Sequence, residues 1–197
     1  MDELDPSREE RNQKINDLLE RLDLHSPGER GHAKRVAIYS VAIGEELGLS
    51  DERMLLLRYA AELHDLGKVR VDRSLLEKLG QLSDDEIEEM HAHATRAESA
   101  LAEHPWLDAC RNLIRHHHER WDGAGYPDGL SGEDIPLESR IINLAETFDV
   151  LMMREGDAVL IEDLALAEIE HCAGSQFDPK VAEAFFKVQP KIQLLVI

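Results

Sequence analysis

Apolar residues recur at three- and four-residue spacing along almost the whole chain, and that period restricts it to a fold of packed helices. From Ser7 to Leu22, Ile15, Leu18, Leu19 and Leu22 share one face, and the run HSPGERG then breaks the helix. A second helix carries Val36, Tyr39, Ile43 and Leu47 and stops at Gly48, which suits a C′ position. Ser50 can cap a third, whose first turn holds Asp51 and Glu52 and which runs through MLLLRYAAELHD to near Gly67. Ser83 and Glu86 form a capping box before a stripe of Ile87, Met90, Ala94, Ala97 and Leu101. Pro105 opens a helix that runs into Arg115 and three consecutive histidines. The segment WDGAGYPDGLSGEDIP is dense in Gly, Pro and Asp and reads as a loop. Helical period returns from Leu137 to Met153, and two short helices follow, the last entered through Asp178 and Pro179. No useful strand alternation, internal repeat or low-complexity tract is visible in the sequence. The expectation is a single all-α domain of about seven helices.

The 197 residues suffice for one core, and with aromatics at only 5% that core must rest on Leu, Ile, Val and Ala. No stretch reaches the ~18 consecutive apolar residues that span a bilayer. The opening MDELDPSREERNQK is acidic, without the apolar region of a signal peptide, so a cytoplasmic location is expected. Cys110 and Cys172 are expected to be free and buried. A net charge of −19 argues against a nucleic-acid polymer or an anionic membrane as partner. Anionic phosphates stay possible, because a pair of divalent cations would reverse the local sign.

The chemistry-bearing residues are histidines and carboxylates on separate helices. His64 and Asp65 are adjacent at the end of an apolar helix, with Lys68 one turn on. Burying such a pair unpartnered is costly, and the donor set suits Mn, Fe or Zn. The plain alternative is a helix-end histidine beside a solvated aspartate. His93 lies beside the stripe of Met90 and Ala97, whereas His91 points elsewhere and reads as surface; alone, His93 would be a satisfied core histidine. His116, His117 and His118 diverge by about 100° per residue on a helix, so two adjacent ones reach one binuclear site if each serves a different metal. Their alternative role is to favour a helix C-terminus. Glu146 and Asp149 share a face with Ile142 and Met153, either as functional acids or as part of a solvated face. His32 and Arg35 open the second helix. His25, His104 and His171 read as surface or structural, and Trp106, Trp121 and Phe177 as packing. Each plain alternative explains one residue, but one metal site explains them all.

Together these residues resemble the HD-GYP subgroup of the HD phosphohydrolases. The first motif is His64-Asp65 within HDLGK; the second is HHERWDGAGYPDGLSGEDIPLESRI, from His117 to Ile141, and includes Gly125-Tyr126-Pro127. Further matches are HAKRV from His32, MHAHA around His93, and AGSQFDP from Ala173 to Pro179, so the resemblance covers roughly residues 29 to 187. It implies an HD-domain helical bundle over 25–197 behind a separate N-terminal helix, 1–24, that packs on the domain or mediates a homodimer. It implies hydrolysis of cyclic di-GMP to pGpG and GMP by two divalent metals, Fe or Mn, held by His32, His64, Asp65, His93, His117, His118 and Glu146. Asp65 would bridge the metals and Lys68 would contact the scissile phosphate, these two being the catalytic pair. Arg35, Gly125, Tyr126 and Arg154 would join Lys68 in seating the nucleotide. The family usually has Asp where Glu146 stands, and its Arg-Pro-Tyr-Arg stretch is replaced by MMREGDAV. A variant with a third metal has Glu where Gly28 stands, so two metals are expected. The competing readings are a hydrolase of another cyclic dinucleotide or a nucleoside phosphate, and a degenerate module that binds nucleotide or a partner without cleavage.

Overall fold

The computed structural model describes residues 6–153 and 158–196. Helix α1, Arg8–His25, starts at a capping box: the Ser7 hydroxyl accepts from the Glu10 N–H, and the Glu10 carboxylate accepts from the Ser7 N–H. It buries Ile15, Leu19 and Leu22, the face that the sequence marks as apolar. Ile15 and Leu19 are continuous with the main core, so α1 packs on the rest of the chain. Helix α2, Glu29–Glu46, lies against α1, against α3 (Asp51–Leu63), and against two later helices, α8 (Leu137–Met152) and α10 (Pro179–Val196). Val36 and Ile43 of α2, Leu57 of α3, and Ile141, Ile142 and Leu144 of α8 are fully buried between them. Three of the aromatics meet here. Phe148 meets Tyr39 edge-on at 5.3 Å and Phe185 at 4.9 Å, pairs that each add about 0.5–1.5 kcal/mol beyond their buried area.

The other helices are α4 (Arg73–Leu76), α5 (Asp84–His91), α6 (His93–Ala100), α7 (Asp108–Arg115) and α9 (Ala158–Cys172). No strand forms among the described residues, only an isolated bridge between Ala173 and Phe177. No described helix is long and apolar enough to cross a membrane.

Four local features differ from the sequence reading. The helix capped by Ser83 breaks at Ala92, where the His93 ring takes the Met90 carbonyl through Nδ1 at 2.6 Å. Pro105 opens a 3₁₀ turn, Pro105–Leu107, and the α-helix starts only at Asp108. The last two helices run for 15 and 18 residues rather than being short. Cys110 is buried as expected, but Cys172 is half-exposed; both are free.

One close approach sets the geometry of the site. Helix α3 ends at Leu63, and a 3₁₀ turn, Leu66–Arg70, follows His64 and Asp65. A Cβ on Gly67 would lie 1.8 Å from the His93 carbonyl oxygen. Only glycine lets this turn press its backbone onto α6, and that contact brings His64 and Asp65 to His93.

Candidate metal centre

Four of the site's five histidines are oriented by a hydrogen bond from Nδ1. His64 follows the last turn of α3 and donates to the Ala61 carbonyl at 2.8 Å. His93 donates to the Met90 carbonyl, and His117 to the Ile114 carbonyl at 2.6 Å. His32, on α2, donates to the buried carboxylate of Asp149 on α8 at 2.7 Å. A carbonyl or carboxylate only accepts, so in each ring Nδ1 carries a hydrogen, and in the neutral ring Nε2 is left with a lone pair.

Those Nε2 atoms converge on two points. His32, His64, Asp65 and Glu146 form one set, with potential ligand atoms all within 4.8 Å of one another, and His93, His117 and His118 form a second. Asp65 stands between them. Its Oδ2 lies 3.2 Å from His64 Nε2 and 3.7 Å from His32 Nε2, and its Oδ1 lies 3.3 Å from His93 Nε2. In the second set, His93 Nε2 is 3.1 Å from His118 Nε2 and 3.4 Å from His117 Nε2. The Glu146 carboxylate reaches back to 3.8 Å from His118 Nδ1.

His117 and His118 fall into the same set, contrary to the expectation that adjacent histidines would serve different metals. That expectation assumed a continuing helix, but α7 stops at Arg115 and the histidines lie in the turn after it. His116 is turned away, bonded to Asn112 O through Nδ1 and to Asp128 through Nε2.

The electrostatics suit a cation. Burial holds His93 and His117 below the ordinary histidine pKa, and lowers His118 to about 4 against the pull of Glu146. All three are therefore neutral donors near pH 7. Burial also opposes charge on His64, but the Asp65 carboxylate beside it more than offsets this and raises it to about 9. Lys68 and His64 hold Asp65 well below the carboxylate range although burial works the other way. His64 Nε2 and Asp65 Oδ1 are buried with no hydrogen-bond partner, a state that costs about 1–3 kcal/mol per group. Divalent cations at the two points would satisfy both atoms and separate the facing lone pairs, so the residues fit such ions.

Around this centre, Lys68 Nζ donates to Asp65 Oδ2 at 2.7 Å and to Glu29 Oε1 at 2.9 Å. Arg35 forks onto Asp149, with Nε to Oδ1 at 2.7 Å and a terminal nitrogen to Oδ2 at 3.0 Å. A cavity of about 470 Å³ opens beside them, lined among others by Glu29, His32, Arg35, Lys68, Glu146 and Asp149. Gly125 packs directly on the backbone after the ligand turn; a Cβ there would lie 2.6 Å from the His118 carbonyl oxygen. The Tyr126 N–H donates to the same oxygen at 3.3 Å, and the Tyr126 ring lies on His118 at 4.8 Å. Arg154 lies outside the described residues.

Three features escaped the sequence reading. Glu29 pairs with Lys68. His91, read as surface, is half-buried and stacks on Tyr126. Asp128 is clamped by both nitrogens of the Arg115 fork, at 2.7 and 2.8 Å, while its N–H donates to Glu119 at 2.7 Å. His116, Glu119 and Asp128 lie close enough to share an ion, but Arg115 already supplies the positive charge there, so the group acts as a tie for the loop.

A family model described as HD domain matches residues 17–181. The chain belongs to the HD-domain family. With His64-Asp65 and Gly125-Tyr126-Pro127 in place, it falls among the HD-GYP proteins. It is 33% identical over 182 residues to the cyclic di-GMP phosphodiesterase response regulator RpfG of Xanthomonas campestris pv. campestris, covering 91% of this chain and 48% of that protein. It is 37% identical over 175 residues to 3′3′-cGAMP-specific phosphodiesterase 3 of Vibrio cholerae, covering 88% of this chain and 37% of that one. The chain thus spans half or less of the length of these relatives. Among solved structures, a cyclic GMP-AMP specific phosphodiesterase of V. cholerae superposes with a TM-score of 0.72 at 24% identity, over 92% of this chain and 50% of that one, a likeness of fold.

Proposed function

We propose that this HD domain is a metal-dependent phosphodiesterase that opens a 3′–5′ phosphodiester of a cyclic dinucleotide, cyclic di-GMP first, giving pGpG and then GMP. The observation that carries the reading is Asp65, with one carboxylate oxygen toward each ligand set. His32, His64 and Glu146 would hold one divalent cation, His93, His117 and His118 the other, with Asp65 shared; Fe and Mn both suit these donors. Bound there, the two cations would supply Lewis acidity and lower the pKa of a water toward neutrality.

The protein's own groups do the rest. Lys68, held protonated between Asp65 and Glu29, offers its ammonium to a phosphate oxygen and offsets the charge that grows there. Asp149 keeps His32 in the tautomer that presents Nε2. Gly125 and Tyr126 pack against His118 at the second ligand set and offer the nucleotide a surface there. Arg35 lines the cavity beside Glu29, His32 and Lys68 and reaches a phosphate only beyond its fork with Asp149.

The relatives are named for cyclic di-GMP and for 3′3′-cGAMP, and this chain lacks the Arg-Pro-Tyr-Arg stretch, so 3′3′-cGAMP is the second substrate to try. Protein loaded with Mn or Fe should linearise one of the two, and Asp65→Ala should abolish turnover. Fully loaded protein that cleaves neither would overturn the reading.

A further inference from the structure

The sequence leaves His91 without a role, and the structure gives it one neighbour of note. The His91 and Tyr126 rings lie 3.7 Å apart at an interplanar angle of 13°, and the Tyr126 and His118 rings 4.8 Å apart at 29°. His118 in turn meets His93 edge-on at 4.9 Å. A column of rings thus runs from the second ligand set outward, and His91 is its last member.

The loop backbone does not by itself fix the Tyr126 ring. Gly125 and the Tyr126 N–H pin the main chain to the His118 carbonyl, but a tyrosine on a loop retains its side-chain torsions. Two rings stack on it, His118 of the ligand set and His91 before it in the chain. The His91 ring makes no hydrogen bond or ion pair among the described residues. The break at Ala92 lets one helix junction deliver both rings, with His93 going to the ligand set and His91 to the Tyr126 ring.

We propose that His91 is a positioning residue, whose flat ring holds Tyr126 against His118 and so fixes the surface beside the second ligand set that the nucleotide meets. The kinetic part rests on the phosphodiesterase reading; the ring contact does not. An aromatic pair of this kind corresponds to about a 2- to 10-fold effect on binding.

The chain has three tyrosines, so fluorotyrosine labelling gives three ¹⁹F resonances, with Tyr126→Phe assigning the one of interest. In metal-free protein of this sequence, His91→Ala and His91→Leu should move the Tyr126 resonance and leave those of Tyr39 and Tyr59 in place, which also reports an intact fold. His91→Phe should keep the Tyr126 resonance near its wild-type position. With cyclic di-GMP or 3′3′-cGAMP, whichever is turned over, Ala and Leu should raise KM about 2- to 10-fold with kcat nearly unchanged, and Phe should restore it. The proposal is overturned if the Tyr126 resonance does not move in His91→Ala, if Leu keeps the wild-type KM, or if Phe fails to restore what Ala loses. Should neither dinucleotide be cleaved, the functional reading fails and the resonances alone decide the ring contact.

Discussion

Asp149 accepts a hydrogen bond from His32 Nδ1 at 2.7 Å while both its oxygens take the Arg35 fork. It is the only carboxylate that orients a ligand histidine among the described residues; the other oriented rings use backbone carbonyls. Asp149→Asn keeps the size but loses the second anionic oxygen. Affinity for the cation at His32, His64, Asp65 and Glu146 should fall about 10- to 100-fold, read by chelator competition. Unchanged affinity would show that Asp149 does not act through His32.

The same residue carries a pH signature. His32 and Arg35 hold the Asp149 carboxyl below its ordinary value, although burial opposes this. A depressed folded pKa contributes stability above the unfolded pKa and loses it as pH falls through the folded value. In metal-free protein, the stability gap between wild type and Asp149→Asn should be flat from about pH 7 to about pH 4 and shrink below that, by urea denaturation. A gap that grows on acidification would contradict the assignment.

Lys68 lies within 2.9 Å of two carboxylates, and Asp65 and Glu29 push its pKa above the ordinary lysine value although burial opposes the charge. It therefore stays protonated through the working range, and an alkaline fall in kcat near the ordinary lysine pKa should be absent. Lys68→Ala should lower kcat about 100-fold, more than it changes KM. An equal loss carried by KM alone would mean that Lys68 only binds.

Gly67→Ala tests the contact between the 3₁₀ turn and α6. A methyl group 1.8 Å from the His93 carbonyl oxygen forces the backbones apart. The cost should be about 3 kcal/mol, at the upper end of overpacking, or about 6–12 °C in Tm for a chain of this length. Metal bound by His93, His117 and His118 should weaken with it. A variant as stable as wild type would show that the approach relaxes without cost.

The two thiols should differ. Cys110 is fully buried, and burial pushes its pKa up to about 12, whereas Cys172 is half-exposed. A thiol reagent should modify one equivalent in the native protein and a second only on denaturation. Two equivalents reacting at once would contradict the burial of Cys110.

Helix period and caps made the α-helical class legible, because Ser50 and Ser83 each cap where the sequence places them. The structure gathers the seven named ligand candidates at one centre; six of them sit within the motifs that carry the resemblance, and Glu146 lies just beyond the second. What could not be read depends on contacts between segments. Nothing near position 149 says that its carboxylate meets His32, and nothing near position 91 says that its ring meets Tyr126. The breaks at Ala92 and after Arg115 were hidden for a related reason. His93 takes a carbonyl for its own ring, and α7 ends without a glycine or proline to mark the place.

The residues gathered at the centre come from α2, the end of α3, α6, the turn after α7, and α8, and the first and last of them stand more than half the chain apart. No short peptide cut from this sequence contains the set of His32, His64, Asp65 and Glu146 complete, so unfolding must surrender whatever that set holds. The melting point of the protein thereby becomes a gauge of free metal. Each tenfold rise in a cation above its dissociation constant adds about 1.4 kcal/mol to the stability of the whole fold.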